Sequence, residues 1–199
     1  ACPYDTVLAN NSIPYERDGV KVINCGNDAQ WSSRTRKALQ EIKTKYICFV
    51  LEDFYFSAPI NTKDFEEAIH LMEADSIKYY KLLSFTDIKT TEYRGFSHLQ
   101  QIPDNFPYGI SLMSAIWDRE YFLEKIGEGN YNPWKFEVDR LIEEKGKTGV
   151  SMVGVYDNRN PLNICHMAVQ GKYLPPAVKQ MKKCGIKIDT TRRGDMSLR

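Results

Sequence analysis

The sequence predicts a single α/β domain with a mostly parallel central sheet and helices on both faces. At 199 residues, the chain fits one domain built on one core. Its longest apolar run, Tyr46 to Leu51, is unbroken and rich in β-prone residues, which is typical of a strand covered on both faces. Helical and strand-like patterns alternate after this run, as βαβ units require. We therefore expect parallel strands joined by helices, with Tyr46 to Leu51 in the middle of the sheet.

Two helices flank this predicted central strand. The first begins at Trp31, with Ser32 or Ser33 as its cap, and its apolar residues recur on one face. The second is capped by Thr62, and acidic residues in its first turn favour the helix dipole. Its apolar stripe includes Phe65 and Met72. Both helices are predicted to pack on the sheet through these stripes.

The second half of the chain continues the alternation after one long interruption. Residues 86–109 show no sustained period but carry five aromatic side chains or histidines, so we expect a long loop that covers the substrate. The remaining predicted elements are strands at Ile77–Phe85, Ile110–Trp117 and Val150–Tyr156, a helix capped by Asp118, a helix starting at Asn132-Pro133, and a last helix at Pro175–Gly185. In the Asn132-Pro133 helix, the apolar positions predicted to form the buried stripe are Trp134, Val138, Leu141 and Ile142.

Charge and composition exclude several classes of protein. The chain has 27 basic and 26 acidic side chains, so no overall field gathers nucleic acid, and we expect no nucleic-acid partner. Five scattered cysteines without a CxxC pair predict free thiols in a reducing compartment, which indicates a cytoplasmic protein. No Walker loop, GxGxxG or GxSxG motif occurs, and the three histidines lack metal-ligand spacing.

The two ends of the chain carry expectations of their own. The opening residues, from Cys2 to Asn10, read as part of an element already under way, so we expect part of the N-terminal strand of the fold to be missing. Residues 172–199 hold eight basic and two acidic side chains, a basic helix and tail. Such a segment is typical either of a solvated helix or of peripheral contact with an anionic membrane face.

The strongest candidate for chemistry is the acidic pair Glu52 and Asp53, directly after the apolar strand. Ligands of open α/β sheets bind outside the carboxyl ends of the strands. Two hard oxygen ligands there could hold Mg²⁺ or Mn²⁺ against a diphosphate, which takes one or two carboxylates together with phosphate and water. Alternatively, both are ordinary polar residues of a turn. Because strand side chains alternate, both reach one ion only if the chain turns at this point.

A longer pattern of residues resembles a known family. The pattern runs through Asn10, Gln30-Trp31-Ser32-Ser33-Arg34, Tyr46 to Phe56, Ser114-Ala115-Ile116-Trp117, Asn132-Pro133-Trp134-Lys135-Phe136-Glu137 and Gly171-Lys172. In this order it resembles bacterial glycosyltransferases of surface-polysaccharide biosynthesis with the GT-A, Rossmann-like nucleotide-diphospho-sugar transferase fold. The resemblance covers most of the chain, from about Val7 to Arg193.

The resemblance implies a role for each matching residue. It implies a nucleotide-diphospho-sugar donor, a saccharide or lipid-linked acceptor, and a DXD-like metal element at Glu52 and Asp53, although here the first carboxylate is Glu and the two are contiguous. Glu137 is the implied general base, since an acceptor hydroxyl attacks better as its proton leaves to a carboxylate. The implied substrate-binding residues are Asn10, Trp31, Arg34 and Trp134.

The residues themselves leave other interpretations open. On periodicity Trp31 and Trp134 fit a core better than a sugar platform, and Arg34 fits a plain surface position as well as a phosphate contact. At the level of function, two alternatives to a transferase remain: a non-catalytic relative that binds a sugar or a partner, and a metal-dependent phosphohydrolase that uses the same carboxylates.

Overall fold

The computed structural model describes residues 3–84, 89–147 and 151–191. The helices are α1 (Trp31–Glu41), α2 (Thr62–Ala74), α3 (Arg119–Ile126), α4 (Pro133–Lys145) and α5 (Pro175–Lys183). The strands are β1 (Thr6–Asn10), β2 (Val20–Asn24), β3 (Tyr46–Phe49), β4 (Phe54–Phe56), β5 (Tyr79–Lys81), β6 (Glu92–Tyr93), β7 (Phe96–Pro103), β8 (Ala115–Asp118), β9 (Met152–Asp157), β10 (Ile164–His166), β11 (Ala168–Val169) and β12 (Lys172–Tyr173).

The main sheet is mixed, so the prediction of a mostly parallel sheet is wrong. Its six strands follow the order β3-β8-β5-β9-β7-β6. Only β5 and β9 pair in parallel, and the other four pairings are antiparallel. An apolar run favours a strand, but it carries no information about the direction of the neighbouring strands.

The strand predicted at the centre lies at the edge of this sheet. Among the described residues β3 pairs with β8 alone, from Tyr46 opposite Asp118 to Phe49 opposite Ala115. None of its residues is fully buried, and Cys48 is exposed. The segment predicted as a loop, 86–109, contributes the β6–β7 hairpin instead, and β7 extends the sheet beyond β9. Residues 85–88 lie outside the described part of the chain.

Three two-stranded sheets complete the fold. β1 and β2 run parallel, with Thr6 opposite Val20 and Asn10 opposite Asn24. β4 and β10 are antiparallel, and so are β11 and β12. The parallel pair therefore brings the carboxyl ends of β1 and β2 to one edge.

Helices α3 and α4 begin at their predicted capping residues, whereas Ser32 and Ser33, the predicted caps of α1, lie inside that helix. The side chain of Asp118 accepts the N–H of Tyr121 at 3.0 Å, and Asn132 accepts that of Lys135 at 3.0 Å. Asn61, one residue before the predicted Thr62 cap, accepts the N–H of Asp64 at 3.4 Å. Side-chain oxygens of this kind satisfy helix N–H groups that have no partner inside the helix.

Helix α4 is turned the opposite way from the prediction. Trp134, Val138 and Ile142 are 59%, 51% and 64% exposed, whereas Phe136 and Glu144 are buried. The rings of Trp31 and Phe122 lie 5.2 and 6.3 Å from the ring of Phe136. The period of α4 identifies an apolar stripe, but the aromatic core contacts of Phe136 decide which face packs.

The core lies on both faces of the sheet. Neighbouring strand residues such as Tyr79 and Tyr80 point to opposite faces and belong to different clusters. One cluster joins the sheet to α1, α3 and α4, and the other joins it to α2. A smaller third cluster docks α5 through Ala177 and Met181. Residues 192–199 of the predicted basic tail lie outside the described residues.

Candidate functional site

The chain turns at the acidic pair that follows β3. The N–H of Phe54 donates to the carbonyl of Leu51 at 3.2 Å, which closes the turn over Glu52 and Asp53. β4 begins immediately afterwards and pairs with β10, with Phe54 opposite His166. The N–H of Met167 donates to the backbone carbonyl of Asp53 at 2.7 Å. The turn that both carboxylates would need to approach one ligand is thus present.

Asp53 contacts a histidine that is distant in sequence. Its Oδ2 lies 2.8 Å from Nε2 of His166, and the ring of His166 stacks on that of Phe54 at 4.6 Å. The other carboxylate oxygen, Oδ1, is buried and accepts no hydrogen bond from the described residues. Buried polar atoms are normally satisfied, so an orphaned carboxylate oxygen is a candidate contact for a ligand.

Glu52 differs from its neighbour because its side chain is exposed. Among residues 3–84, 89–147 and 151–191, no group of three His, Cys, Asp or Glu side chains is arranged to hold a metal ion. A magnesium-type ion that bridges to a diphosphate needs only one or two protein carboxylates. Asp53 Oδ1 with Glu52 fits that donor set, and the contact of Oδ2 with His166 is of the kind that orients a ligating carboxylate.

A shallow groove of about 330 Å³ opens beside the Asp53–His166 pair. It lies between β10 and α5 and is lined by Cys165, His166, Leu174, Pro176, Ala177 and Gln180. The lining is largely apolar, with His166 as its link to the acidic turn. The groove therefore offers apolar contact area next to the hydrogen-bonded Asp53–His166 pair.

A second polar cluster lies at the carboxyl ends of β1 and β2. The guanidinium of Arg34 donates to Oδ1 of Asn11, and the amide of Asn11 donates to the carbonyls of Gly26 and Ala29, each at 3.0 Å. Asn10 donates to the carbonyl of Ile13 at 2.6 Å, and its own Oδ1 is buried without a partner among the described residues. Asn10 and Arg34, both predicted substrate-binding residues, thus belong to one hydrogen-bonded rim.

The two tryptophans predicted to bind substrate lie in opposite environments, one buried and one exposed. Trp31 is 5% exposed, and its ring contacts Phe49 at 6.3 Å and Phe136 at 5.2 Å. It therefore joins α1, β3 and α4, the elements that position Arg34, the acidic turn and Glu137. Its place is in the core and not at a ligand surface. Trp134 lies on the exposed face of α4.

Glu137 and a second glutamate hold the segment that leads into β8. Oε1 of Glu137 accepts the N–H of Leu112 at 3.0 Å. Oε2 and Oε1 of Glu144 accept the N–H groups of Tyr108 and Ile110 at 3.0 and 3.1 Å. Burial raises the pKa of Glu144, while these backbone donors oppose the rise. No hydrogen bond to Oε2 of Glu137 exists among the described residues.

A buried lysine holds the same segment from the sheet side. Lys81 lies in β5, and its ammonium donates to the carbonyls of Tyr108 and Gly109 at 2.7 and 3.4 Å. Burial lowers the pKa of Lys81 to about 8, although the negative charges of Glu144 and Glu137 act in the opposite direction and raise it. Burial likewise raises the pKa of Tyr79, whose hydroxyl donates to the carbonyl of Ser111 at 3.3 Å. The segment is therefore fixed from two sides.

Sequence reasoning missed three residues of these clusters. His166 had no assigned role, and it meets Asp53 across 113 positions of the chain, which no local pattern signals. Glu144 follows Glu137 by seven residues, a helical spacing that places both on one face. Lys81 lies between apolar residues in a predicted strand. A charged residue at such a position is the sequence signal that indicates a buried lysine.

A scan against protein-family models and searches of curated proteins and solved structures found no match to this chain. No helix in the described part of the chain combines the length and apolar character needed to cross a membrane. The candidate site therefore has to be interpreted from its own geometry.

Proposed function

We propose that this protein transfers a sugar from a nucleotide-diphospho-sugar donor to a hydroxyl of a saccharide or lipid-linked acceptor. The observation that carries the proposal is Asp53, at the turn after β3, with one oxygen held by His166 and the other buried without a partner among the described residues. The sequence resemblance through the acidic turn and the Pro133-to-Glu137 segment supports the same chemistry. We assign a diphosphate-containing donor because a diphosphate binds cationic side chains such as Arg34 and metal ions held by carboxylates such as Glu52 and Asp53.

The donor's charged diphosphate is assigned to the acidic turn and the Asn10–Arg34 rim. Arg34 carries a permanent positive charge close to the end of β1, and its guanidinium is suited to phosphate oxygens. Asp53 and Glu52 are the residues that would hold a divalent ion, which would supply charge neutralisation for a departing diphosphate. Trp31 contributes indirectly because it packs α1 and β3 together.

Glu137 is assigned as the general base. The acceptor hydroxyl oxygen forms a bond to the anomeric carbon, while the bond from that carbon to the phosphate oxygen breaks and its electron pair leaves with the nucleoside diphosphate. The hydroxyl proton passes to Glu137 Oε2, since Oε1 is held by the N–H of Leu112. The backbone contact orients the carboxylate, as a positioned base requires.

The test of the donor site is a binding panel of UDP-, GDP- and dTDP-sugars with and without Mn²⁺, with a CMP-sugar as a single-phosphate comparison. A donor present at a hundred times its dissociation constant adds roughly 2.7 kcal/mol of stability. For a chain of this size we expect the melting temperature to rise by about 2–4 °C for each kcal/mol. If no diphospho-sugar stabilises the protein, the proposed function is wrong.

Asp53→Asn is the variant that tests the residue. We expect the melting temperature to stay near that of the wild type, because the amide is isosteric, and Mn²⁺-dependent donor affinity to fall at least tenfold in calorimetry. The matched control is Asp18→Asn in the exposed segment 12–19, which should leave affinity unchanged. Equal affinity in wild type and Asp53→Asn would remove Asp53 from the donor site.

A second candidate function is binding of a sugar nucleotide without turnover. The observation that favours it is that Glu137 and Glu144 both accept backbone N–H groups of one segment, a structural role that needs no catalysis. Donor binding that is lost in Asp53→Asn, with no sugar transfer to any acceptor, would support this candidate against the transferase.

A further inference from the structure

The outer face of α4 is apolar although it faces away from the protein. Trp134, Val138 and Ile142 are spaced four residues apart and are each more than half exposed, whereas Phe136 packs inward. Residues with this spacing lie on one side of a helix. Together the three form an exposed apolar stripe, here called the α4 stripe, along just over two turns of the helix.

The charges around the α4 stripe are not balanced. All four carboxylates of α4 are engaged: Asp139 lies 2.9 Å from Lys135, Glu143 lies 2.8 Å from Arg140, and Glu137 and Glu144 accept backbone N–H groups on the inner face. Lys145 and Lys147, at the end of the helix, are exposed and form no ion pair with any residue that the structure describes. The side chains of Asp139 and Glu143 are partly exposed, but each is paired with a basic side chain of the same helix, so the two lysines leave the outer face of α4 locally positive.

This combination matches an anionic lipid surface. A helix that lies in the plane of a membrane interface buries its apolar face to a depth of about 5–10 Å and keeps lysines at the headgroups. Tryptophan is favoured at this level because its ring is apolar and its N–H is polar. A second copy of the chain fits less well, since a stable protein interface takes about 20–30 residues from each side.

We propose that α4 docks in the plane of an anionic membrane surface through the α4 stripe, with Lys145 and Lys147 at the headgroups. The contact is separate from the basic segment 172–191, where α5 buries Ala177 and Met181 against the protein. It does not rest on the proposed transferase function. Docking would place the Glu137 end of α4 near any acceptor presented at that surface.

Tryptophan fluorescence provides a direct readout. The chain has three tryptophans, and Trp31 and Trp117 are buried in the core, so only Trp134 can change environment on docking. With vesicles of phosphatidylcholine and phosphatidylglycerol, we expect a blue shift of the emission that Trp134→Phe abolishes while its vesicle binding persists. The shift should be weaker with phosphatidylcholine alone and should fade as salt is added. Emission unchanged by anionic vesicles would overturn the proposal.

Co-sedimentation with the same vesicles identifies the residues. We expect Trp134→Ser combined with Ile142→Ser to bring the pelleted fraction to the level without vesicles, whereas the control Ile13→Ser, an exposed apolar residue outside α4, should pellet like the wild type. Because these side chains are exposed, circular dichroism and the melting temperature should stay the same.

Charge-neutralising pairs separate α4 from the C-terminal helix. Lys145→Gln with Lys147→Gln should lower the vesicle partition coefficient at least on the order of tenfold, since two positive charges are removed from the headgroup contact. Lys182→Gln with Lys183→Gln should leave it within about twofold. The reverse ranking would overturn the proposal in favour of the tail. Light scattering that shows a dimer lost in the stripe variant, without vesicle binding, would assign the stripe to a second copy.

Discussion

Glu137 and Glu144 share one face of α4 but use their carboxylates differently. Glu144 accepts two backbone N–H groups, one with each oxygen, and is buried. Glu137 accepts one and keeps Oε2 without a partner among the described residues. A glutamine has only one acceptor oxygen, so the same substitution has different consequences at the two positions.

We expect Glu137→Gln to keep the contact with Leu112 and the stability of the fold, but to reduce sugar transfer on the order of 10²-fold or more by removing the base. In Glu144→Gln the side-chain NH₂ would stand opposite one of the two backbone N–H groups, so one hydrogen bond would be lost. We expect the free energy of unfolding to fall by about 1–3 kcal/mol. Urea unfolding and transfer assays on both variants distinguish the roles. Full turnover in Glu137→Gln would reduce that residue to a structural support.

Lys81 makes stability depend on pH in a defined direction. Burial lowers its pKa in the folded protein from the ordinary 10.5 to about 8. Between these two values the unfolded chain holds the proton and the folded protein releases it, so the free energy of unfolding rises with pH across that window. The difference corresponds to roughly 3 kcal/mol. Below pH 8 the folded protein bears the full cost of the buried charge.

We therefore expect the free energy of unfolding of Lys81→Met to lack this increase with pH. The stability of the wild type minus that of the variant should increase by up to roughly 3 kcal/mol between pH 8 and 10.5, as measured by urea unfolding at several pH values. Lys63→Met, at an exposed position of α2, is the control and should follow the wild type at every pH. Parallel pH profiles for wild type and Lys81→Met would show that Lys81 titrates normally.

At the scale of elements, the sheet depends on a close approach between its two parallel strands. Gly154 lies in β9, and a Cβ added there would be 2.2 Å from the backbone oxygen of Tyr79 in β5. Backbone cannot move aside as a flexible side chain can, so the strands would have to separate. The glycine is required by packing and not by an unusual backbone angle.

We expect Gly154→Ala to lower the free energy of unfolding by about 3 kcal/mol or more, at the upper end of overpacking costs. The control is Gly146→Ala at the end of α4, where the backbone is helical and the nearest atom to an added Cβ, the oxygen of Glu143, is 3.6 Å away. That change should stay within about 1 kcal/mol of the wild type. Similar losses in both variants would contradict a tight β5–β9 contact.

At the scale of the whole molecule, a network of charged side chains joins the sheet to α2. Asp157 at the end of β9 is fully buried, accepts the hydroxyl of Tyr80 at 2.9 Å and lies 2.7 Å from Arg159. Arg159 also reaches Asp64 of α2 at 3.1 Å, and the Asp157 carboxylate raises its pKa further above the ordinary range. The network ties α2 to the sheet, because removing one partner would leave a buried charge unpaired.

The surface of the molecule is nearly neutral in total and uneven in detail. The net charge is +1, yet the outer face of α4 and segment 172–191 are both locally positive. The vesicle experiments separate these two surfaces. These experiments test where the surface binds an anionic membrane, which depends on the distribution of charge and apolar side chains and not on one contact.

The sequence by itself determined the starts of α3 and α4 and the place of the acidic pair after a strand, because these features depend on neighbouring residues. Asp118 and the Asn132-Pro133 pair predict helix starts that the structure confirms, since a cap acts within one turn. The acidic pair does follow a strand and lie on a turn. These features need no knowledge of the rest of the chain.

The tertiary structure decided the order and direction of the strands, the packed face of α4 and the partner of Asp53. An apolar run is compatible with an edge strand or a central strand. Helix α4 has aromatic residues on two faces, and the contact of Phe136 with Trp31 decides which face packs on the core. His166 reaches Asp53 only through the β4–β10 pairing. Each of these depends on contacts between distant segments, which local propensity and periodicity do not encode.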